Sequence, residues 1–412
     1  MFFDRMDSNS RESRLIIAIQ SQSAHFLELR GVKKEREVAR KGKNMEWLES
    51  MPKVELHAHL NGSIRNSTLL ELARNLGDEG DIEFSEVEHV ILKDDRSLVE
   101  VFKLFDLIHV VTTDHEAITR ITKEVIEDFA SENVVYIELR TTPKRNDKIG
   151  MSKRSYMEAV MQGVKAVTTV DVCFSPQTEQ LTSSCHSRPI HEPCNDDLRK
   201  KIYVRFLLSI DRRESAASAM ETVDLALGMR EMGVVGIDLS GNPTKGEWVT
   251  FIPALEYARK QGLKISLHCG EVPNRTEING MLDFHPDRVG HACCLNDAEF
   301  ECLKTLKIPV EICLTSNIRT GTISSIDIHH FADLHRDKHP MVLCTDDAGV
   351  FSTSLSGEYK IAASTFGIKR EEVYRLASDA VHFIFADDGV KTELRNTFMA
   401  FIKQNLFSDC DH

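Results

Sequence analysis

A single α/β chain folded as a (β/α)₈ barrel is what the sequence predicts, on three observations. From about residue 50 onward, short β-branched runs alternate with longer helical patterns, as in successive βαβ units. Eight such runs are present, and eight strands with intervening helices fit a closed barrel better than two separate sheets. Nearly every run also ends in polar, chemically capable residues, and a barrel gathers its strand ends at one face. With 412 residues, 42% of them hydrophobic, the chain can bury the large core such a barrel needs.

Residues 1–44 carry charge without periodicity, as in GVKKEREVARKGK, and predict a flexible extension ahead of one domain spanning 45–412. A transit peptide is disfavoured by Asp4, Asp7, Glu12, Glu35 and Glu37. The expected strands are 54–60, 134–142, 203–210, 234–241, 264–270, 288–292, 309–316 and 341–347. Between them, DHEAITRITKEVIEDFASEN, SAMETVDLALGMREM, TFIPALEYARKQG and DAEFECLKTLK repeat apolar residues at three and four positions, as helices do. Residues 61–133 are long for a first crossover, so extra helices are expected over the barrel's C-terminal mouth after the first strand. Residues 172–200, rich in Ser, Pro and polar types, predict an inserted loop. Its Cys185, His186, His191 and Cys194 match no compact zinc spacing and are expected to be incidental.

Bulk properties narrow the partners. A formal net charge of −13 argues against a nucleic-acid polymer, whose phosphates need a basic surface. No apolar run approaches the ~20 residues of a membrane span, so no membrane partner is expected. Ten scattered cysteines, several inside apolar runs such as Cys313 and Cys344, and no secretory leader point to a reducing, cytoplasmic setting. A monomer acting on a small molecule is expected.

The chemistry concentrates at strand ends. His57 and His59 lie two apart on one strand and therefore share a face. As plain core residues each imidazole would need a buried partner, whereas a metal ion satisfies both. The strand ending KISLHCG adds His268, with Glu271 three residues on, and RVGHA adds His291. In MVLCTDD the adjacent Asp346 and Asp347 repel one another unless a cation or proton offsets the charge. Glu138, Arg140, Asp211 and Asp238 are the other polar strand ends expected at the same rim.

In this order, PKVELHAHLNGS, SLHCGE, RVGHA, CLTSN and CTDD resemble the motif series of the adenosine deaminase family among the metal-dependent amidohydrolases, over about residues 50–390. That resemblance implies one zinc ion on His57, His59, His268 and Asp346, a proton-donating Glu271, His291 beside the attacking water, and Gly241 and Asp347 at a purine ring. Zinc lowers the pKa of water toward ~7, so that it can attack C6 of a purine at neutral pH. Glu271 would protonate N1 and His291 would take or steer the water proton. A binuclear site is not expected, because no strand end offers a bridging Lys beside the histidines.

Departures from the family pattern bear on the substrate. Nucleoside deaminases carry Asp where this chain has Asn61, and an amide removes repulsion toward a 5′-phosphate and supplies a donor. Arg140, Thr141, Thr142, Pro143 and Lys144, then Asp211, Arg212 and Arg213, lie nearby, and His109 is expected on a mouth helix within reach of a ligand together with His59. Ala348 stands where Pro is usual, which relaxes the wall near the 6-substituent. The pattern resembles the branch acting on N6-methyl-AMP, with IMP and methylamine as products and a purine nucleoside monophosphate as ligand. The alternatives are an adenosine or AMP deaminase, and a non-catalytic nucleotide-binding barrel.

Overall fold

The computed structural model describes residues 46–79, 88, 91, 98–112, 114–174 and 200–408. The expected extension at 1–44 lies outside these; a short helical stretch at 46–50 belongs to a unit separate from the barrel. The four incidental ligand residues of the 172–200 segment also lie outside them. No helix among the described residues is long and apolar enough to cross a membrane.

Eight parallel strands form the barrel, in the order β1 (Lys53–His59), β2 (Val134–Thr141), β4 (Lys201–Asp211), β5 (Val234–Ser240), β6 (Lys264–Cys269), β7 (Arg288–His291), β8 (Val310–Ile312) and β9 (Met341–Leu343). The ring closes through a parallel bridge between Ala58 and Asp346, where His59 N–H donates to Asp346 O (2.9 Å) and Asp346 N–H to His57 O (2.7 Å). These are the eight strands expected. A further short strand, β3 (Asp171–Cys173), pairs with the first residues of β4 outside the ring, so the segment expected to be a loop from 172 begins as sheet. A three-residue run has too little pattern to stand out from sequence.

Two strands are shorter than expected, and for a common reason. After β8, which ends at 312 and not 316, the Glu358 carboxylate accepts from Thr315 N–H (3.1 Å) and starts helix Leu314–Arg319. After β9, the Glu55 carboxylate accepts from both Thr345 N–H (3.0 Å) and Thr345 Oγ1 (2.9 Å), which turns the chain out of the ladder. Asp346 then takes a left-handed backbone, φ 62°. The long first crossover holds α1 (Asn66–Glu79), α2 (Leu98–Val111) and α3 (His115–Ser131), as expected. Asp114 caps α3 by accepting from Ala117 N–H (2.7 Å). Val101, Phe105 and His109 of α2 line the cavity at the barrel mouth.

Candidate active site

At the C-terminal end of the barrel, His57 and His59 of β1, His268 of β6 and Asp346 beyond β9 bring four donor atoms together. His268 Nε2 lies 3.1 Å from the Nε2 of both His57 and His59, and Asp346 Oδ1 lies 3.3 and 3.4 Å from the same two atoms. Ligands held at ~2.0–2.1 Å around one tetrahedral ion are separated by about 3.3–3.4 Å, so the spacing suits a shared cation. The second ring nitrogens strengthen that reading. His57 Nδ1 faces Glu311 Oε2 (2.8 Å) and His268 Nδ1 faces Asp238 Oδ1 (3.0 Å). Each carboxylate holds the hydrogen on Nδ1, which turns two Nε2 lone pairs toward each other. Only a cation between them makes that arrangement favourable. Burial and Arg140 both oppose a charge on His57, yet Asp346 and Glu311 outweigh them and raise it to about 9. The site favours positive charge: His57, His268 and Asp346, with His291, form a buried group that could hold a metal ion, and His59 forms a second such group with His268 and Asp238.

The carboxylates behind the histidines are buried at the barrel axis. Arg140 Nη1 donates to Asp238 (2.8 Å), its Nη2 to Leu56 O (2.9 Å) and to Glu311; Arg288 joins Glu311 (2.6 Å) to Glu138 (2.5 Å). All five side chains have no solvent exposure. Burial works against the charge on Asp238 and Glu311, but His268 and Arg140 for the first, and Arg140 and Arg288 for the second, hold both below the usual carboxylate range. The expectation for three polar strand ends is therefore corrected. Glu138, Arg140 and Asp238 support His57 and His268 from beneath, and Arg140 has its guanidinium committed there and not to a phosphate. Arg212 is likewise committed, to Lys245 O (3.0 Å) and Glu277. Glu311 was not singled out from sequence; a carboxylate in the middle of an apolar strand was the available signal.

Above the donor cluster opens a cavity of about 910 Å³, counted to its mouth. Its walls include His59, Asn61, His109, Thr141, Thr142, Asp211, Gly241, His268, Glu271, His291, Asp346 and Asp347. Most of the residues expected at the metal and the substrate thus line this cavity; Arg212 is committed to Lys245 and Glu277, His57, Asp238 and Glu138 lie behind it, and Pro143 and Lys144 lie beside it. Those two line an adjoining cavity that shares His109, Thr142, Asp211 and Arg213 with the first. Lys144 donates to Thr112 Oγ1 (3.0 Å), and burial lowers its ammonium to about 7.

Electrostatics separate the acids of the cavity. Burial raises the Glu271 carboxyl, more than His268 and His57 lower it, and Glu271 Oε1 stands 3.9 Å from His291 Nε2. Burial, then Asp346 and Glu271, push Asp347 well above the carboxylate range, and its Oδ1 is buried without a hydrogen-bond partner. Both groups are set to hold protons while Asp346 stays ionised, held low against burial by His57 and its neighbours. Burial lowers His59 to about 3 and His291 well below the usual range, so both are neutral. His109 is also neutral, lowered to about 3 by burial and then Lys144, with a buried Nδ1 that has no partner.

Asn61 is oriented by its neighbours. Tyr156 OH donates to Asn61 Oδ1 (3.2 Å), so Thr141 Oγ1 must donate to Tyr156 (2.7 Å). The carboxamide oxygen is thereby occupied, which leaves the NH₂ for the cavity. The Thr141 hydroxyl is spent on this chain. Asp211 accepts from Arg213 N–H (2.8 Å) and Nη2 (2.7 Å), which aligns Arg213 at the junction of the two cavities.

Comparison with known proteins agrees with this architecture. The chain is 65% identical over 354 residues to an N6-mAMP deaminase of Arabidopsis thaliana, covering 86% of this chain and 98% of that protein. It is 39% identical over 361 residues to a human N6-methyl-AMP deaminase, covering 85% and 93% respectively. A crystal structure of an Arabidopsis relative complexed with IMP superposes with a TM-score of 0.80, at 62% identity, over 86% of this chain and 98% of that one. The adenosine deaminase family profile matches residues 52–400, which include every donor, acid and cavity residue described above; the chain belongs to the adenosine deaminase family.

Proposed function

We propose that this protein hydrolyses a 6-aminopurine nucleotide, with N6-methyl-AMP and water giving IMP and methylamine. The observation that carries the nucleotide preference is the oriented amide of Asn61, which offers N–H groups where a carboxylate would repel a phosphate. His109 and Arg213 line the same cavity as Asn61, and Lys144 lines the one adjoining it; they would add a neutral donor and positive charge. The names of the relatives above support the same substrate.

One zinc ion would be held by His57, His59, His268 and Asp346; when bound, it supplies the Lewis acidity that makes water a nucleophile near neutral pH. Glu271, buried and kept protonated, donates its proton to N1, which takes up the electron pair displaced when C6 becomes tetrahedral; the carboxylate so formed can take the proton of the attacking water and pass it to the departing methylamine. Asp347, also protonated, donates to N7 and fixes the ring in the plane where Glu271 meets N1. Gly241, with φ 96° and room for no side chain beside Asp211, brings backbone against the ring. His291 holds the attacking oxygen. The seven described cysteines are all free, which supports a reducing, cytoplasmic location.

Steady-state comparison of adenosine, AMP and N6-methyl-AMP tests the substrate. N6-methyl-AMP is expected to have the highest kcat/KM, and a preference for adenosine would refute the phosphate assignment. Asn61→Asp is expected to reduce kcat/KM for the monophosphate about fivefold or more beyond its effect on the nucleoside, from ~1–4 kcal/mol of repulsion between unit charges ~4 Å apart. Equal losses on both substrates would contradict it.

Gly62 gives a separate check on Asp347. A Cβ at position 62 would sit 1.6 Å from Asp347 Oδ1, so Gly62→Ala must displace that carboxyl. A loss of about 10²-fold in kcat/KM is expected from misplacement on that scale, with metal content unchanged. Wild-type kinetics in this variant would remove Asp347 from the reaction.

A further inference from the structure

His291 is gripped from both sides, by Asn317, the last residue of the CLTSN motif, and by two histidines that lie outside the motif series. Its Nδ1 lies 3.1 Å from Asn317 Nδ2, Asn317 Oδ1 lies 3.1 Å from His329 Nε2, and His329 Nδ1 accepts from Phe331 N–H at 3.0 Å. All three side chains are buried. On the main-chain side, His330, stacked on His329 at 4.3 Å, places Nε2 2.7 Å from His291 O. That grip secures a strained stretch: His291 and Ala292 have φ of 67° and 56°, left-handed values that side-chain-bearing residues seldom adopt in succession.

The hydrogens of this chain can be assigned from its far end. A backbone N–H is always a donor, so His329 Nδ1 must present a lone pair and the ring's hydrogen must lie on Nε2. His329 Nε2–H then donates to Asn317, which must meet it with its oxygen. The NH₂ of Asn317 is left facing His291, whose Nδ1 must accept. With Nδ1 presenting its lone pair to Asn317, the ring's hydrogen is on Nε2, the atom that faces Glu271. No step depends on which way the carboxamide was placed, because the peptide N–H of Phe331 orders everything after it.

We propose that His329 and Asn317 form a hydrogen-ordering relay that fixes His291 with its hydrogen on Nε2, so that His291 enters the reaction as a hydrogen-bond donor. This rests on the deaminase reading above and sharpens it. A ring nitrogen that carries hydrogen has no lone pair for a metal ion, so His291 is not a ligand, although it lies close enough to His57, His268 and Asp346 to be grouped with them. Nor can Nε2, which already carries hydrogen, take a proton from water. It donates to the attacking oxygen and aims it at C6. His329 and Asn317 are positioning residues that act through His291.

Two-bond ¹H–¹⁵N correlation spectra of the ¹⁵N-labelled, metal-loaded protein read the tautomer directly, with His291→Gln identifying the signal. A protonated Nε2 and an unprotonated Nδ1 are expected; a hydrogen on Nδ1 overturns the relay. His329→Phe removes the donor to Asn317 and is expected to lower kcat about 10–100-fold, with KM and metal content close to wild type. His329→Gln, whose amide can donate to Asn317, is expected to recover most of that loss. Wild-type kcat in His329→Phe, or a Gln variant no better than a folded Phe variant, overturns the proposal. If the Phe variant does not fold, the wild-type spectrum decides. A protein with the expected tautomer but inactive on every purine nucleotide would refute the activity and leave the relay standing; an active protein with the hydrogen on Nδ1 would refute the relay alone.

Discussion

Asp346→Asn is expected to lose its metal ion and to fall at least about 10³-fold in turnover, since Lewis-acid activation supplies several kcal/mol of transition-state stabilisation. Asn is the sharper substitution than Ala here. Asp346 sits at φ 62°, where Asn is among the few side chains that remain at ease, so the backbone that closes the barrel is kept. The amide oxygen can still accept from Ser316 Oγ, which now bonds Asp346 Oδ2 at 2.7 Å. The other end then becomes NH₂ and points donors at the three imidazoles where an anion stood. Elemental analysis against protein concentration, with thermal melting as the control for folding, checks the result. Stoichiometric metal in a folded Asp346→Asn protein would show that the ion is held elsewhere.

Glu271→Gln is expected to separate binding from chemistry. The variant should keep its metal, because Glu271 is not among the converging donors, and should lose ~10²-fold or more in kcat, the scale of general acid catalysis. Gln fills the same space and still offers an N–H to N1, so the substrate should bind with little change in KM. What it cannot do is give the proton up. The electron pair displaced from the ring then has no acid to receive it, and the tetrahedral state rises in energy. Loss of metal in this variant would make Glu271 a ligand, and unchanged kcat would mean that another group protonates N1.

Much of this arrangement was legible in the chain. β-branched runs and the three-and-four periodicity are local signals, and they placed all eight barrel strands and the helices between them. Strand ends carry the site because a parallel barrel puts every C-terminal end on one face, so His57, His59, His268, Glu271, His291, Asp346 and Asp347 could be assembled without coordinates. Strand lengths were less legible. The ends of β8 and β9 were overestimated because Glu358 and Glu55 take the next backbone N–H groups away from the ladder, and nothing near Thr315 or Thr345 in sequence announces those partners.

The sequence by itself determined the barrel, the donor types and the acid beside them, since these follow from residue identity and a repeating backbone period. Only the tertiary structure decided which hydrogens sit where. His57 and Glu311 are 254 positions apart, and His291, at the end of β7, meets Asn317 and through it His329, both from the crossover between β8 and β9. Hydrogen bonds between buried groups depend on distances of a few tenths of an ångström between strands that share no local pattern. Those long-range pairs set which ring nitrogens of His57, His268 and His291 carry hydrogen, and with them which present a lone pair to the cavity and which can only donate.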